Sequence, residues 1–197
     1  MLSVEHARVE CPSGIATLRD LAPDDIETIV AYWHGGGADL EFLGIDVAKM
    51  GDADNSRRRF GAMFRTGDRD QRQIAYAIAL DGAMVGYTML NQYDAENNYS
   101  HWHIIAKDRR AGGISSALYP HRIKMYFDTT DMQRLIHQTR TRNIGVNRML
   151  DKYVPIAETA YVEKPDGLAG PGEFHMRHVR RSDLPRLFAR GAELAGR

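Results

Sequence analysis

Two short stretches concentrate the residue types that do chemistry. In His101-Trp102-His103 the imidazoles are two residues apart, so in an extended strand both project from one face while Trp102 and Ile104 project from the other. Imidazole has the side-chain pKa nearest neutrality, which suits it to take the proton that an amine must lose to become a nucleophile. In Arg109-Arg110-Ala111-Gly112-Gly113-Ile114-Ser115 a charged turn ends in two glycines just before an apolar helical pattern. Glycine allows close backbone approach, and the unpaired amides of a helix start, together with the helix dipole, attract anions. Phosphate or pyrophosphate is the natural guest. The glycines are followed neither by Gly-Lys-Ser/Thr nor by the rest of a G-x-G-x-x-G pattern, which excludes the nucleoside-triphosphate loop and the dinucleotide fingerprint.

The elements that must position these stretches follow from periodicity. Residues 15–21 alternate as a strand, and Pro23, Asp24 and Asp25 then open a helix whose Ile26, Ile29, Val30 and Trp33 share one face before Gly35-Gly36-Gly37 stops it. A second helix is expected over 55–65, with Phe60, Met63 and Phe64 as its apolar stripe. Strands over 73–80 and 84–93 are joined by Asp81-Gly82-Ala83, a hairpin signal because Asp-Gly tolerates positive φ, and 99–106 reads as the third strand of the same meander. A helix runs from Ile114 to about Phe127 with Pro120 inside it, where a kink is expected. A strand over 133–140 leads to a helix capped by Asn143, with Val146, Met149, Leu150 and Tyr153 at helical spacing. Strands over 156–163 and 174–179 flank the irregular segment KPDGLAGPG, and a last helix falls within 182–197. Hairpins mixed with a strand-helix-strand crossover predict an α/β (α+β) mixed sheet with helices on both faces. One domain accounts for all 197 residues, with 1–13 as a flexible lead-in.

Composition narrows the partners. Hydrophobic residues make up 43% and charged residues 26%, ordinary globular values. The 26 Lys and Arg balance the 26 Asp and Glu, so no global field favours nucleic acid or an anionic membrane. Neither partner is expected, and the absence of any long apolar run makes the cytoplasm the default location. Cys11 is the only cysteine, which excludes an intrachain disulfide and a thiolate metal cluster. His101 and His103 taken with His175 and His178 lack a carboxylate or thiolate at diagnostic spacing, so no metal is expected.

The segment from Arg110 to Ser115 resembles the pyrophosphate loop R/Q-x-x-G-x-G/A of the GNAT superfamily of acyl-CoA-dependent N-acyltransferases, matching all but its last position. Ser116-Ala117-Leu118 is similar to the first helical turn of that family, and Ile105 takes the place of the hydrophobic residue that closes its fourth strand. Residues 16–29 resemble its first strand and helix, and the block from Asn143 to Tyr153 its late N-x-x-A…Y-x-K segment, so the resemblance spans nearly the whole chain. It implies a GNAT-like fold and acetyl-CoA as acyl donor. It also implies that the amides of Arg110, Gly112, Gly113 and Ser115 hold the pyrophosphate, with the side chains of Arg109 and Arg110 adding charge. A backbone amide near Ile105 would polarise the thioester, and Asn143 would contact the pantetheine. His103, nearer the thioester, and His101 are the candidate bases.

The chain departs from the family at two positions. Ser115 replaces the usual Gly or Ala, and Leu150 stands where many members have the tyrosine that protonates the leaving thiolate, so Tyr153 is the first substitute for that acid, with a core aromatic as the competing reading. Trp33, His34 and Glu41 are expected to border the acceptor, and Tyr93, Asp94 and Glu96 could recognise a cationic amine. The reading that follows is transfer of acetyl to a primary amine by direct attack in a ternary complex, in a protein that could form a homodimer as GNAT-like domains often do. A catalytically weakened GNAT-like module that binds acyl-CoA or a protein partner is the alternative that Ser115 and Leu150 keep open.

Overall fold

The computed structural model describes residues 4–36, 38–63 and 72–196. Its strands are β1 (Glu5–Cys11), β2 (Gly14–Asp20), β3 (Gln73–Leu80), β4 (Ala83–Gln92), β5 (Asn98–Ile104), β6 (Arg134–Arg140), β7 (Glu158–Val162) and β8 (Gly172–Arg180). The helices are α1 (Pro23–His34), the single turn α2 (Leu40–Leu43), α3 (Ala53–Ala62), α4 (Ile114–Thr129), α5 (Ile144–Leu150) and α6 (Leu184–Ala195). The strands form one eight-stranded sheet in the order β1-β2-β3-β4-β5-β6-β8-β7. Every neighbouring pair is antiparallel except β5 and β6. The α/β mixed sheet expected from the sequence is therefore the fold. Two boundaries differ. Residues 5–11 are the edge strand β1, paired with β2 from Cys11↔Gly14 to Glu5↔Arg19, and not a flexible lead-in. Phe64 and Arg65, the end of the second expected helix, lie outside the described residues.

The sheet is covered on both faces because β3 is apolar on both. Ile74, Tyr76, Ile78 and Leu80 pack with Ile114, Leu118, Ile123 and Phe127 of α4 and Leu187 of α6. Ala75 and Ala77 face the other way, and their small side chains give room to Ile29, Val30 and Trp33 of α1 and Phe60 of α3. The β3–β4 turn has Asp81 at φ 49° and Gly82 at φ 86°, the two left-handed positions of a type I′ hairpin.

Pro120 lies inside α4, which continues past it to Thr129. Proline has no N–H, so the carbonyl of Ser116, four residues earlier, loses its helical donor. The Tyr153 hydroxyl donates to that carbonyl at 2.8 Å. Tyr153 is only 3% exposed and packs against Tyr119, their rings 4.7 Å apart.

Candidate active site

The feature that opens the sheet is the join between β5 and β6. It has one bridge, Tyr99↔Ile136, after which the two parallel strands diverge. On its other edge β5 is zipped to β4 from Gln92↔Asn98 to Gly86↔Ile104. The Ile105 N–H donates to the Val85 carbonyl at 2.8 Å and the Tyr93 N–H to the Asn97 carbonyl at 3.1 Å. Antiparallel alternation then turns the backbone groups of His101 and His103 toward β4 and those of Trp102 and Ile104 toward the gap. This decides which of the amides near Ile105 face the gap. Ile105 is committed to Val85, and the amides turned to the gap belong to Trp102 and Ile104.

At the C-terminal end of β5 the glycine loop meets α4. Gly113, at φ 82°, is the N-cap residue of the helix, and the first intrahelical bond in the helix body runs from the Ala117 N–H to the Gly113 carbonyl at 2.9 Å. The amides before it have no partner within the helix, which is the condition for an anion site. Arg110 is exposed and braces the loop. Its Nε donates to the Ile104 carbonyl at 3.0 Å, tying the loop back to the strand. Arg109 is paired with Asp108 at 3.0 Å. Asn143 lines the cleft and accepts from the Val146 N–H as the cap of α5.

His101 and His103 both line the cleft but have different surroundings. His101 Nε2 meets Asp166 Oδ2 at 2.5 Å. Asp166 also accepts from Asn91 Nδ2 at 2.7 Å and from the Tyr93 hydroxyl at 2.8 Å, and its own N–H donates to Gln138 Oε1. Burial pushes the Asp166 carboxyl up, yet hydrogen bonding and charge from His101, with the Asn91 and Tyr93 bonds, outweigh it and hold the group below its ordinary value. Burial and then Asp166 raise the Tyr93 phenol to about 12. Gly167, next in the loop, has φ 66°, a left-handed conformation that favours glycine, and lies in ordinary contact range of the imidazole, a Cβ there standing 3.4 Å from His101 Nε2.

His103 sits in an aromatic box. Its ring stacks on Tyr87 at 5.2 Å and takes the edge of Trp33 at 4.9 Å. Trp33 Nε1 donates to the Tyr87 hydroxyl at 2.8 Å. Burial, followed by the charges of His101 and Arg110, drives the His103 pKa down to about 3, so this imidazole stays neutral at neutral pH and is a poor base.

The other expected site residues divide. Trp33 and Tyr93 are brought to the cleft and its dyad, and His34 bonds Ser56 at 2.8 Å beside it. Glu41 is exposed on α2, where its carbonyl accepts from Arg142 at 2.7 Å, and its carboxylate does not line the cleft. Glu96 faces Arg134 at 3.3 Å and Arg180 at 3.4 Å beyond the cleft. Tyr153, the substitute acid, is not brought to the cleft, since its hydroxyl serves α4; Leu150 is fully buried in the core. Nothing in the sequence singles out Asp166. Its only local signal is the Asp-Gly of the irregular loop, 65 residues from His101. Among the described residues no three His, Cys, Asp or Glu side chains gather as metal ligands would, and no helix is long and apolar enough to cross a membrane.

No family model matches the sequence, and no curated protein matches it. Solved structures do. RimJ from Mycobacterium smegmatis in complex with CoA-disulfide aligns over 100% of this chain and 98% of its own, with TM-score 0.76 and 16% identity. RimL, a ribosomal L7/L12 alpha-N-protein acetyltransferase, aligns over 91% and 96%, with TM-score 0.68 and 13% identity. The microcin C7 self-immunity acetyltransferase MccE in complex with acetyl-CoA and AMP covers 86% and 97%, with TM-score 0.63 and 16% identity.

Proposed function

This chain has the GNAT fold, and from it we propose an acyl-CoA-dependent N-acyltransferase that moves an acetyl group from acetyl-CoA to a primary amine by direct attack. The observation that carries the reading is the gap between β5 and β6, which joins a glycine-capped helix start at one end to a carboxylate-held imidazole at its wall. The residues fit the donor. Gly113 adopts a left-handed φ at the head of α4, the amides of Gly112, Gly113 and Ser115 are turned to no backbone carbonyl among the described residues while that of Arg110 donates to Lys107 at 3.3 Å, and the Trp102 backbone with the Ile104 N–H offers a strand edge to the pantetheine amides.

His101 takes the proton that the acceptor amine loses as its nitrogen bonds to the thioester carbon. Asp166 accepts from the imidazole, fixes its orientation and stabilises the cation that forms. The carbon–sulfur bond then breaks and the thiolate leaves. Neither Leu150 nor Tyr153 supplies its proton, so solvent does. That missing phenol also favours a second reading, a module that binds acyl-CoA with little or no turnover.

Calorimetric titration with acetyl-CoA and CoA tests the proposal. Saturable binding that is lost in folded Gly113→Glu, followed by acetylation of at least one amine from a panel, is the expected result. Binding without turnover of any amine would favour the binding module. No binding by the wild-type chain would overturn both.

A further inference from the structure

The turn between β1 and β2, residues 11–14, presses on the glycine loop. Ser13 Oγ donates to the Gly112 carbonyl at 2.8 Å, across 99 residues of chain. A Cβ at Gly112 would fall on Ser13 Oγ, and one at Gly113 would stand 2.9 Å from Pro12 Cδ. Gly112 lies between two left-handed residues, Ala111 at φ 65° and Gly113 at φ 82°. Such a conformation at an alanine is strained and persists only where the surroundings hold it. Two bonds hold it here, Arg110 to Ile104 from the strand and Ser13 to Gly112 from the turn.

In a planar trans peptide the C=O and the following N–H point in opposite directions. Anchoring the Gly112 carbonyl on Ser13 therefore aims the Gly113 N–H away from the turn. We infer that Ser13 is a positioning residue of the donor site, orienting the Gly113 amide for the pyrophosphate, and that the β1–β2 turn is the outer wall of that site. The inference rests on the acyl-CoA reading above. It also explains Gly112 by contact, since its φ is not left-handed and a Cβ there would meet Ser13 Oγ first, with the Arg109 carbonyl next at 3.3 Å.

The test is CoA affinity by calorimetry, with thermal melting to check folding, in the wild-type chain, Ser13→Ala, Ser13→Thr, Gly112→Ala and the double variant Ser13→Gly/Gly112→Ala. Loss of one anchoring hydrogen bond predicts about fivefold weaker CoA binding for Ser13→Ala, with the hydroxyl of Ser13→Thr restoring it. Gly112→Ala weakens binding by roughly tenfold or more through overpacking, and the double variant recovers part of that loss. Pantetheine, which lacks the pyrophosphate, binds all folded variants alike. Equal CoA affinity for wild type and Ser13→Ala, or no recovery in a folded double variant, would overturn the inference and leave the acyl-CoA reading standing. A wild-type chain that binds no CoA would overturn both.

Discussion

The wall and the floor of the cleft each carry an imidazole from one face of β5, and the difference between them is made by what other segments bring. At the wall, the loop after β7 delivers Asp166 to His101, with Asn91 and Tyr93 completing the carboxylate's bonds. On the floor, α1 and β4 deliver Trp33 and Tyr87 to His103, which have ring faces and no anion to offer. A side chain two residues closer to the expected thioester is thereby made the poorer base. Distance along a strand ranks candidates for proton transfer less well than the identity of the partner that arrives from elsewhere.

The largest effect that could break this contrast is on turnover. His101→Ala and Asp166→Asn are expected to lower kcat on any accepted amine by about 10²- to 10³-fold, and His103→Phe by less than tenfold. A larger loss in the His103 variant would reverse the assignment.

Stability against pH sharpens the contrast next. The folded His103 titrates at about 3 and the unfolded one near 6.5. Between those values the unfolded chain binds the extra proton, so stability is full above pH 6.5 and falls as the pH drops through that window. His103→Phe should remove about 1–2 kcal/mol of the loss seen between pH 6.5 and 5. Asp166 acts in a lower window. Its folded value is depressed, so its contribution is present above its unfolded value of about 3.9 and is lost as the pH falls through the folded one. Asp166→Asn should flatten the melting profile below about pH 4.

The smallest effect concerns the aromatic residue that took neither role. Tyr153→Phe leaves the Ser116 carbonyl without a donor and should lower the melting temperature by about 2–6 °C. Turnover at a temperature where the protein is folded should change by less than twofold; a tenfold loss would return Tyr153 to the chemistry.

What was legible in the sequence was local. Asp81-Gly82 announces its own hairpin, Pro23 with Asp24 and Asp25 announce the start of α1, and the glycine pair marks the head of α4 because each depends on neighbours a few residues away. The edge strand β1 escaped because an exposed two-stranded margin needs little apolar alternation, and EHARVEC has little. Which amide near Ile105 faces the gap is not legible because backbone parity is set by the register with β4, which composition does not encode. Asp166 was invisible because nothing within its loop refers to β5. Tyr153 has a hydroxyl at helical spacing from Val146, Met149 and Leu150, but its partner is fixed by the proline of a different helix.

That last pairing has a consequence for the order in which the chain assembles. The first turn of α4 contains a carbonyl whose donor is synthesised 37 residues later, beyond β6 and α5. Until that segment docks, the turn around Pro120 must keep the carbonyl in water, so α4 cannot settle fully onto β3 and β4 as an early, self-sufficient unit. The N-terminal meander and the C-terminal strands are coupled through this one proline. A nascent chain ending before residue 153 should show its Ser116–Pro120 turn less protected from hydrogen exchange than the complete fold, and the second half of the sheet joins the first as a condition of finishing it.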